Sequence, residues 1–420
     1  MPLFSWQEPV TRRIVEILRA RDFCLNTSDC GTGKTFMALE AASRLQLRVL
    51  VWTPKSVVGS WWAIAESLGV RDQVLDVVNP ERIALGKTRW FQSNRWRLEP
   101  GTLLVVDEPH RGASGVDSRQ TKVLAQVKAY GTKVLAQSAT IADSPLKLRA
   151  IGFLAGCHEF NPSSFYGWCR RHGCFNSPWH SGIEFPKGPK GRTLMAKVHQ
   201  ELEPSMVRIR IQDVPEFPET SVQPLLVTLP DRDTQEFQDA YRAMDARLKE
   251  PGANQMVEVL RARQRTEHLK VPYLGELIRD DLEAGNAVVV LVQFRDTLAQ
   301  LAGLFPGCSE LHGDQTQEER NTGIERFQSG VTSVICGIAS AGGIGVSLHD
   351  LDGKRPRVAY HTPGWSASEF RQACGRVHRA GGTKSVQHVV LCSGTIEERV
   401  YRTLLNKQGN IDTLQDGDLT

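Results

Sequence analysis

Residues 28–35 read Ser-Asp-Cys-Gly-Thr-Gly-Lys-Thr and lie between a short apolar run, 23–25, and a helix-like segment, 36–45. A glycine-rich turn that carries a strand into a helix N-terminus points backbone N–H groups inward and adds partial positive charge, which suits a triphosphate. Gly31 and Gly33 let the backbone approach the phosphates closely, and a side chain at either would block that approach. With this spacing Lys34 reaches the β- and γ-phosphates and the Thr35 hydroxyl ligates Mg²⁺, while Cys30, Gly31, Thr32 and Gly33 form the cradle. The usual pattern begins with Gly, and here that position is Ser28. Everything downstream is read as machinery that would use this nucleotide.

Apolar runs then alternate with amphipathic segments. Strands are predicted over 48–53, 74–78, 102–107 and 133–137, and helices over 10–20, 61–68 and 121–130. Uninterrupted apolar strands such as Leu103-Leu-Val-Val106 are what a parallel sheet covered on both faces demands, so the first lobe is a doubly wound α/β unit. Ligands of such sheets bind at the carboxyl ends of the strands. Asp107-Glu-Pro-His110 stands at such an end, where Asp107 holds the Mg²⁺ shell and Glu108 orients the attacking water. Ser138-Ala-Thr140 follows the next strand and can relay contact across the cleft, and Ser144-Pro145 opens a helix. Gln7, ahead of the first helix, has an amide that donates and accepts at once, as an adenine edge requires; the alternative is an ordinary polar residue before a helix.

A chain of 420 residues favours two or three domains, of which two are adopted. The first covers 1–222, with an insertion at about 151–220; the second covers 223–420, with a helical insertion at about 231–268. Cys157, His158, Cys169, His172, Cys174 and His180 fall in the first insertion without any CxxC pair, so buried thiols and incidental histidines are expected there rather than zinc. The basic loop Lys187, Lys190 and Arg192 is expected to be solvated, with DNA contact as the minor reading. In the second insertion Phe237, Tyr241, Met244 and Leu248 share a helical face, and the alternating Arg261, Arg263 and Arg265 suggest a solvated helix.

From residue 271 the α/β rhythm returns, with strands over 287–294, 334–338, 358–360 and 386–391 and one before them over 223–229. Thr316 with Glu319, and Thr395 with Glu398, have capping-box spacing. This lobe has no phosphate loop of its own. It contributes Gln372, Arg376 and Arg379, which on a helix lie within about 60° of one another and opposite Phe370, Cys374 and Val377. The polar side is expected to look outward, where two guanidinium groups can neutralise charge on a γ-phosphate.

Nine unpaired cysteines, and a start that lacks a basic then apolar stretch, point away from secretion and toward a cytoplasmic, nucleoid-associated or nuclear setting. No apolar run approaches the roughly 20 residues a membrane span needs. The net charge of +4 permits contact with nucleic acid without demanding it.

Taken in order, GTGKT, DEPH, SAT and QACGRVHR resemble a superfamily 2 helicase-type motor. Ala341-Gly-Gly-Ile-Gly345, Trp365, Gln372-Ala-Cys-Gly-Arg376-Val-His-Arg379 and Gly394-Thr-Ile-Glu-Glu398 narrow the likeness to the Swi/Snf (switch/sucrose-non-fermenting) double-stranded DNA translocases. At this compact size the chain resembles the fork-remodelling or annealing branch, or a bacterial or phage relative. Pro54, Trp61, His312-Gly-Asp, Glu319-Arg320 and Phe327 match the same family. The resemblance implies two RecA-like lobes that bind ATP and Mg²⁺, with Lys34, Asp107, Glu108, Arg376 and Arg379 catalytic and with Gln7, Gly345 and Gln372 joining the phosphate loop at the nucleotide. It also implies contact with nucleic acid by Lys55, Ser56, Thr140 and Gly342. Ile338-Ala-Ser340 departs from that family's pattern, and Arg208 to Val214 matches its lobe-linking stretch loosely. The expected activity is a DNA-dependent ATPase that acts as a monomer on double-stranded or branched DNA, translocates on the duplex and remodels DNA structures or protein-DNA complexes, away from membranes. Two alternatives stand beside it: a DExH-type unwinding helicase on RNA or forked DNA, and a nucleic-acid-binding module that holds ATP without turnover.

Overall fold

The computed structural model describes residues 3–178, 181–214, 217–228, 255–342 and 346–417. The chain forms two compact units, 1–215 with 406–420, and 216–405. In the first, β1 (Phe23–Asn26), β2 (Arg48–Trp52), β3 (Val74–Val78), β4 (Thr102–Asp107), β5 (Lys133–Gln137) and β6 (Met206–Val207) form a parallel sheet in the order β6-β1-β5-β4-β2-β3. Every residue of β1 and β4 is buried, as expected for strands covered on both faces. Trp52, Phe91 and Trp96 pack together in the core, with Trp96 centred 5.4 Å from Phe91 and 6.2 Å from Trp52.

The region expected as an insertion over 151–220 holds three helices, Arg149–Ala155, Pro162–Arg171 and Gly188–Leu202, with the antiparallel pair Phe175–Asn176 and Ile183–Glu184 between the last two, and then a return to the sheet. Leu25 pairs with Met206 and Asn26 with Val207, so the insertion ends inside the sheet. A two-residue strand is too short to show any periodicity. Lys190 and Arg192 lie on the helix Gly188–Leu202 and not in a loop; Pro189 is tolerated in its first turn, where the missing N–H breaks no bond. His158 packs against the Phe165 and Trp168 rings, His172 lies 3.0 Å from Glu201, and Cys169 and Cys174 are buried. Among the described residues no three His, Cys, Asp or Glu converge to hold a metal ion; His180 lies outside them.

The second unit repeats the architecture with β7 (Thr220–Val227), β8 (Ala287–Val292), β9 (Ser309–Leu311), β10 (Val334–Ile338), β11 (Arg357–His361) and β12 (Ser385–Cys392), all parallel, in the order β7-β12-β11-β8-β10-β9. The helix Gln255–Leu269 braces the carboxyl ends of three of these strands. Glu267 accepts the backbone N–H groups of Gln293 (3.1 Å) and Phe294 (3.0 Å) after β8 and the Thr362 hydroxyl (2.6 Å) after β11. Lys270, fully buried, donates to the Val390 carbonyl of β12 at 2.8 Å and to Glu397 at 2.7 Å. Arg263 corrects the expectation of a solvated helix: it is buried, donates to the Pro363 carbonyl at 3.0 Å and lies over the Phe294 and Trp365 rings. Its two sequence neighbours at alternate positions carried no periodicity that would single it out. The expected helical face of Phe237, Tyr241, Met244 and Leu248 lies outside the described residues.

Thr316 and Glu319 form both halves of a capping box. The second expected box is displaced by one residue at each half. Thr395 accepts from the Glu397 N–H at 3.2 Å, and Glu398 accepts from Gly394 at 2.8 Å. The division between the units also differs from an expected boundary at 222/223. β7 begins at Thr220 and pairs with β12 over eight residues, which commits the chain to the second sheet before that point. At the other end, residues of the helix Ile396–Asp416 from Asn406 onward belong to the first unit, where Leu414 joins the core and Asn410 donates to the Asp143 carbonyl at 3.1 Å. Among the described residues no helix is long and apolar enough to cross a membrane.

Candidate active site

Parallel register brings three motifs to one edge of the first sheet. Asn26 of β1 and Asp107 of β4 both stand opposite Gln137 of β5, so the segments after these strands leave neighbouring carboxyl ends. The segment after β1 is the phosphate loop, with Gly31 at φ 80° and Gly33 at φ 78° in the left-handed region. Lys34 opens the helix Lys34–Arg44, and its Nζ donates to the carbonyls of Ser28 and Asp29 at 2.9 Å each. Thr35 follows in the first turn, half-buried, as does Cys30 in the loop. Thr32 is buried, and its hydroxyl donates to the Asp29 carbonyl at 2.8 Å. Ser28, which replaces the usual glycine, is buried with its hydroxyl accepting the Ile209 N–H at 3.0 Å.

Gln7 supports this loop from outside. Its Nε2 donates to the Thr32 carbonyl at 2.9 Å, its Oε1 accepts from Phe4 at 3.0 Å, and a Cβ at Gly33 would come within 2.3 Å of that nitrogen. One amide N–H and one lone pair are thereby committed to protein, and one of each is left over. Gly33 is needed for space as well as for φ.

Asp107 ends β4 almost completely buried. Its Oδ2 accepts from Thr53 (2.9 Å) and Trp61 (3.1 Å), and its Oδ1 accepts from Gln137 (3.2 Å). Burial first and the Glu108 charge second raise its carboxyl above the usual range, and the three donors oppose that rise. Glu108 adopts φ 53°, a conformation that non-glycine residues rarely hold, and its Oε2 accepts from the Ser138 hydroxyl at 2.6 Å. His110 Nδ1 lies 3.3 Å from the same carboxylate oxygen and 3.2 Å from Ser138 Oγ. Burial pushes this imidazole down to about 3, so it is neutral at ordinary pH. Ser138 also accepts the Thr140 N–H at 3.0 Å, which makes it the joint between the two strand-end motifs.

The site fits a magnesium ion. Hard divalent cations take oxygen ligands, and the Asp107 carboxylate and Thr35 hydroxyl are such oxygens. Gln137 Oε1 and Asn26 Nδ2, on the strands flanking this edge, are buried with no hydrogen-bond partner in the protein, which leaves them able to bond the water shell of an ion.

Other expected residues are placed differently. Lys55 is exposed, but the Ser56 and Thr140 hydroxyl oxygens are buried without a partner, so neither is presented to a nucleic-acid phosphate. Gly342 ends the short helix Ala339–Gly342, and Gly345 lies outside the described residues. The expectation that Gln372 and Arg376 look outward is corrected: on the helix Ala367–Val377 both are buried, at 3% and 7% exposure. Arg376 Nη1 and Arg379 Nη2 both donate to the Val346 carbonyl at 3.1 Å, and Arg379 follows the end of the helix. Helical phase identified the shared face but not the segment at 346–348 that covers it. Sequence reasoning also missed Thr53 and Gln137 beside Asp107, for which strand-end polar residues were the available signal, and Arg208 beside the phosphate loop.

The model of the helicase conserved C-terminal domain matches residues 269–381. A protein of Acanthamoeba polyphaga mimivirus named as an ATP-dependent RNA helicase is 27% identical over 457 residues, covering 99% of this chain and 84% of that protein. The chromatin-remodeling ATPase INO80 of Neurospora crassa is 26% identical over 205 residues, 47% of this chain and 9% of that protein. An SNF2 domain-containing protein of Oryza sativa subsp. japonica is 30% identical over 139 residues, 32% of this chain and 14% of that protein. The chain thus spans most of the first relative and a small part of the other two. Among solved structures, the crystal structure of the Pyrococcus furiosus Hef helicase domain is similar with a TM-score of 0.51, over 94% of this chain and 96% of that one, at 16% identity. That likeness is one of fold, two RecA-like lobes.

Proposed function

Because the chain is a Snf2-like, helicase-type ATP hydrolase of superfamily 2, we propose that it uses ATP to translocate on double-stranded DNA and remodels branched DNA or protein-DNA complexes. The observation that carries the catalytic half of this reading is the junction of Glu108, Ser138 and His110, where a strained backbone aims a carboxylate and a hydroxyl ties it to the neighbouring motif. In this reading Lys34 swings from the Ser28 and Asp29 carbonyls to the β- and γ-phosphates, and Glu108 orients the attacking water. Thr35 and Asp107 hold Mg²⁺, which when bound neutralises charge on the phosphate oxygens. Lys55, exposed on the first unit, contacts the DNA backbone.

The second reading, an unwinding helicase on RNA, is favoured by the name of the mimivirus relative. The two are separated by measuring ATP turnover with duplex DNA, forked DNA and RNA, beside triplex-displacement and strand-displacement assays. A duplex walker is stimulated by duplex DNA and displaces a third strand without melting the duplex. Lys34→Ala and Glu108→Gln each lower turnover by about a hundredfold or more, and Glu108→Gln retains nucleotide binding. Turnover that ignores DNA, or an active Lys34→Ala, rejects the motor.

A further inference from the structure

The start of the phosphate loop is fastened by an arginine 180 residues away, and that arginine is held in turn by the end of the C-terminal helix. Arg208 Nη1 donates to the Thr27 carbonyl at 2.7 Å and lies 3.2 Å from the Asp29 carboxylate. Its other nitrogens, Nε and Nη2, engage both carboxylate oxygens of Asp416, the latter at 3.1 Å, and Nη1 also donates to Gln415 Oε1 at 2.9 Å. The Gln415 amide continues the chain of contacts, donating to the Ala139 carbonyl of Ser138-Ala-Thr140 at 2.8 Å. Arg208 and Gln415 thus join the first motif to the third. All of these groups belong to the first unit.

The placement of Asp416 is an independent sign. The C-terminal end of a helix carries partial negative charge, so an acidic residue at the last helical position is of the unfavourable sign. A fork-shaped guanidinium that meets a carboxylate through two nitrogens offsets this cost and fixes the orientation of the arginine. The third nitrogen is then aimed at the loop. There it does two things. It restrains the Thr27 carbonyl, from which the loop departs, and it neutralises Asp29, whose carboxylate would otherwise repel a triphosphate in the adjacent cradle.

We propose that Arg208 is a positioning residue of the nucleotide site, and that Asp416 and Gln415 act through it, so that docking of the C-terminal helix tunes nucleotide affinity. The inference rests on the reading of residues 28–35 as an ATP site. The full-length chain is titrated with a fluorescent ADP analogue in the presence of Mg²⁺, and KM and kcat for ATP are measured in parallel. Arg208→Gln weakens analogue binding about tenfold, the loss expected when charge-assisted hydrogen bonds are removed. Asp416→Asn, a mild change at a helix end, weakens it by about threefold, and the loss falls on Kd and KM rather than on kcat. Asp416→Glu restores it. The double variant Arg208→Gln with Asp416→Asn binds no worse than Arg208→Gln, because Asp416 acts on the loop through the arginine. Equal affinity of the wild type and Asp416→Asn, or losses that add in the double variant, overturn the proposal. A wild type that does not bind the analogue overturns the ATP reading itself.

Discussion

Asp107, proposed above to hold Mg²⁺, is a residue whose burial lowers the stability of the fold at neutral pH. An acid whose folded pKa is raised favours the native state most at low pH and loses that contribution as pH rises through the folded value. At neutral pH the nucleotide-free protein therefore carries the cost of a buried carboxylate. Asp107→Asn removes the charge, and the orphaned Oε1 of Gln137 can accept from the new amide after a flip. This variant is expected to gain on the order of 1 kcal/mol in urea unfolding while losing Mg²⁺-dependent turnover. An unchanged or lowered midpoint would count against a buried-charge cost. Histidines act in the opposite sense. Burial holds His110 at about 3 and His349 and His361 at about 4, so the unfolded chain takes up protons that the native state refuses. Stability is expected to fall as pH drops from about 6.5 toward about 4, by roughly 1 kcal/mol per histidine at pH 5.5, as read from urea midpoints. A flat profile across that window would show these rings to be charged in the fold.

At the level of elements, the helix Gln255–Leu269 and Lys270 behind it hold the carboxyl ends of β8, β11 and β12 through Glu267, Lys270 and Glu397. Lys270→Met strands the Glu397 carboxylate in the core and is expected to cost about 3 to 5 kcal/mol in denaturant unfolding. Adding Glu397→Gln to that variant should recover part of the loss, since the uncompensated charge is gone; a double variant as unstable as the single one would show that packing and not charge sets the cost. This network shows where sequence reading stops. β3, β4, β5 and β10 were legible with their bounds because their apolar residues are local, continuous in all but β3, where Asp76 interrupts them, and the phosphate loop was legible because its chemistry occupies eight consecutive residues. Glu267 was not legible, because its partners Phe294 and Thr362 are distant in sequence and nothing local distinguishes it from a solvated helical acid. The helical phase of Gln372 and Arg376 was readable, but their burial depended on residues 346–348, which the phase does not report. β6 was too short to signal, and the Arg208–Asp416 pair left one trace, an acid at the wrong end of a helix.

For the whole molecule, the two units repeat one architecture with different equipment: a phosphate loop and paired acids in the first, a buried glutamine and two arginines in the second. The first unit is assembled from both ends of the chain. Ile411 and Leu414 are buried in it, each worth roughly 1.5 to 3 kcal/mol of apolar burial, so a fragment of residues 1–215 is expected to melt well below the full chain. A peptide of residues 406–420 supplied in trans should raise that melting point in proportion to its concentration, and no response would mean the C-terminal segment is a passive cover. The same arrangement sets a schedule for biosynthesis. About 200 residues separate the two parts of the unit, and at ~5–20 residues per second a ribosome needs roughly 10 to 40 s to translate them. During that interval Arg208 waits without its Asp416 partner, and the first unit is completed only after residues 406–416 have emerged.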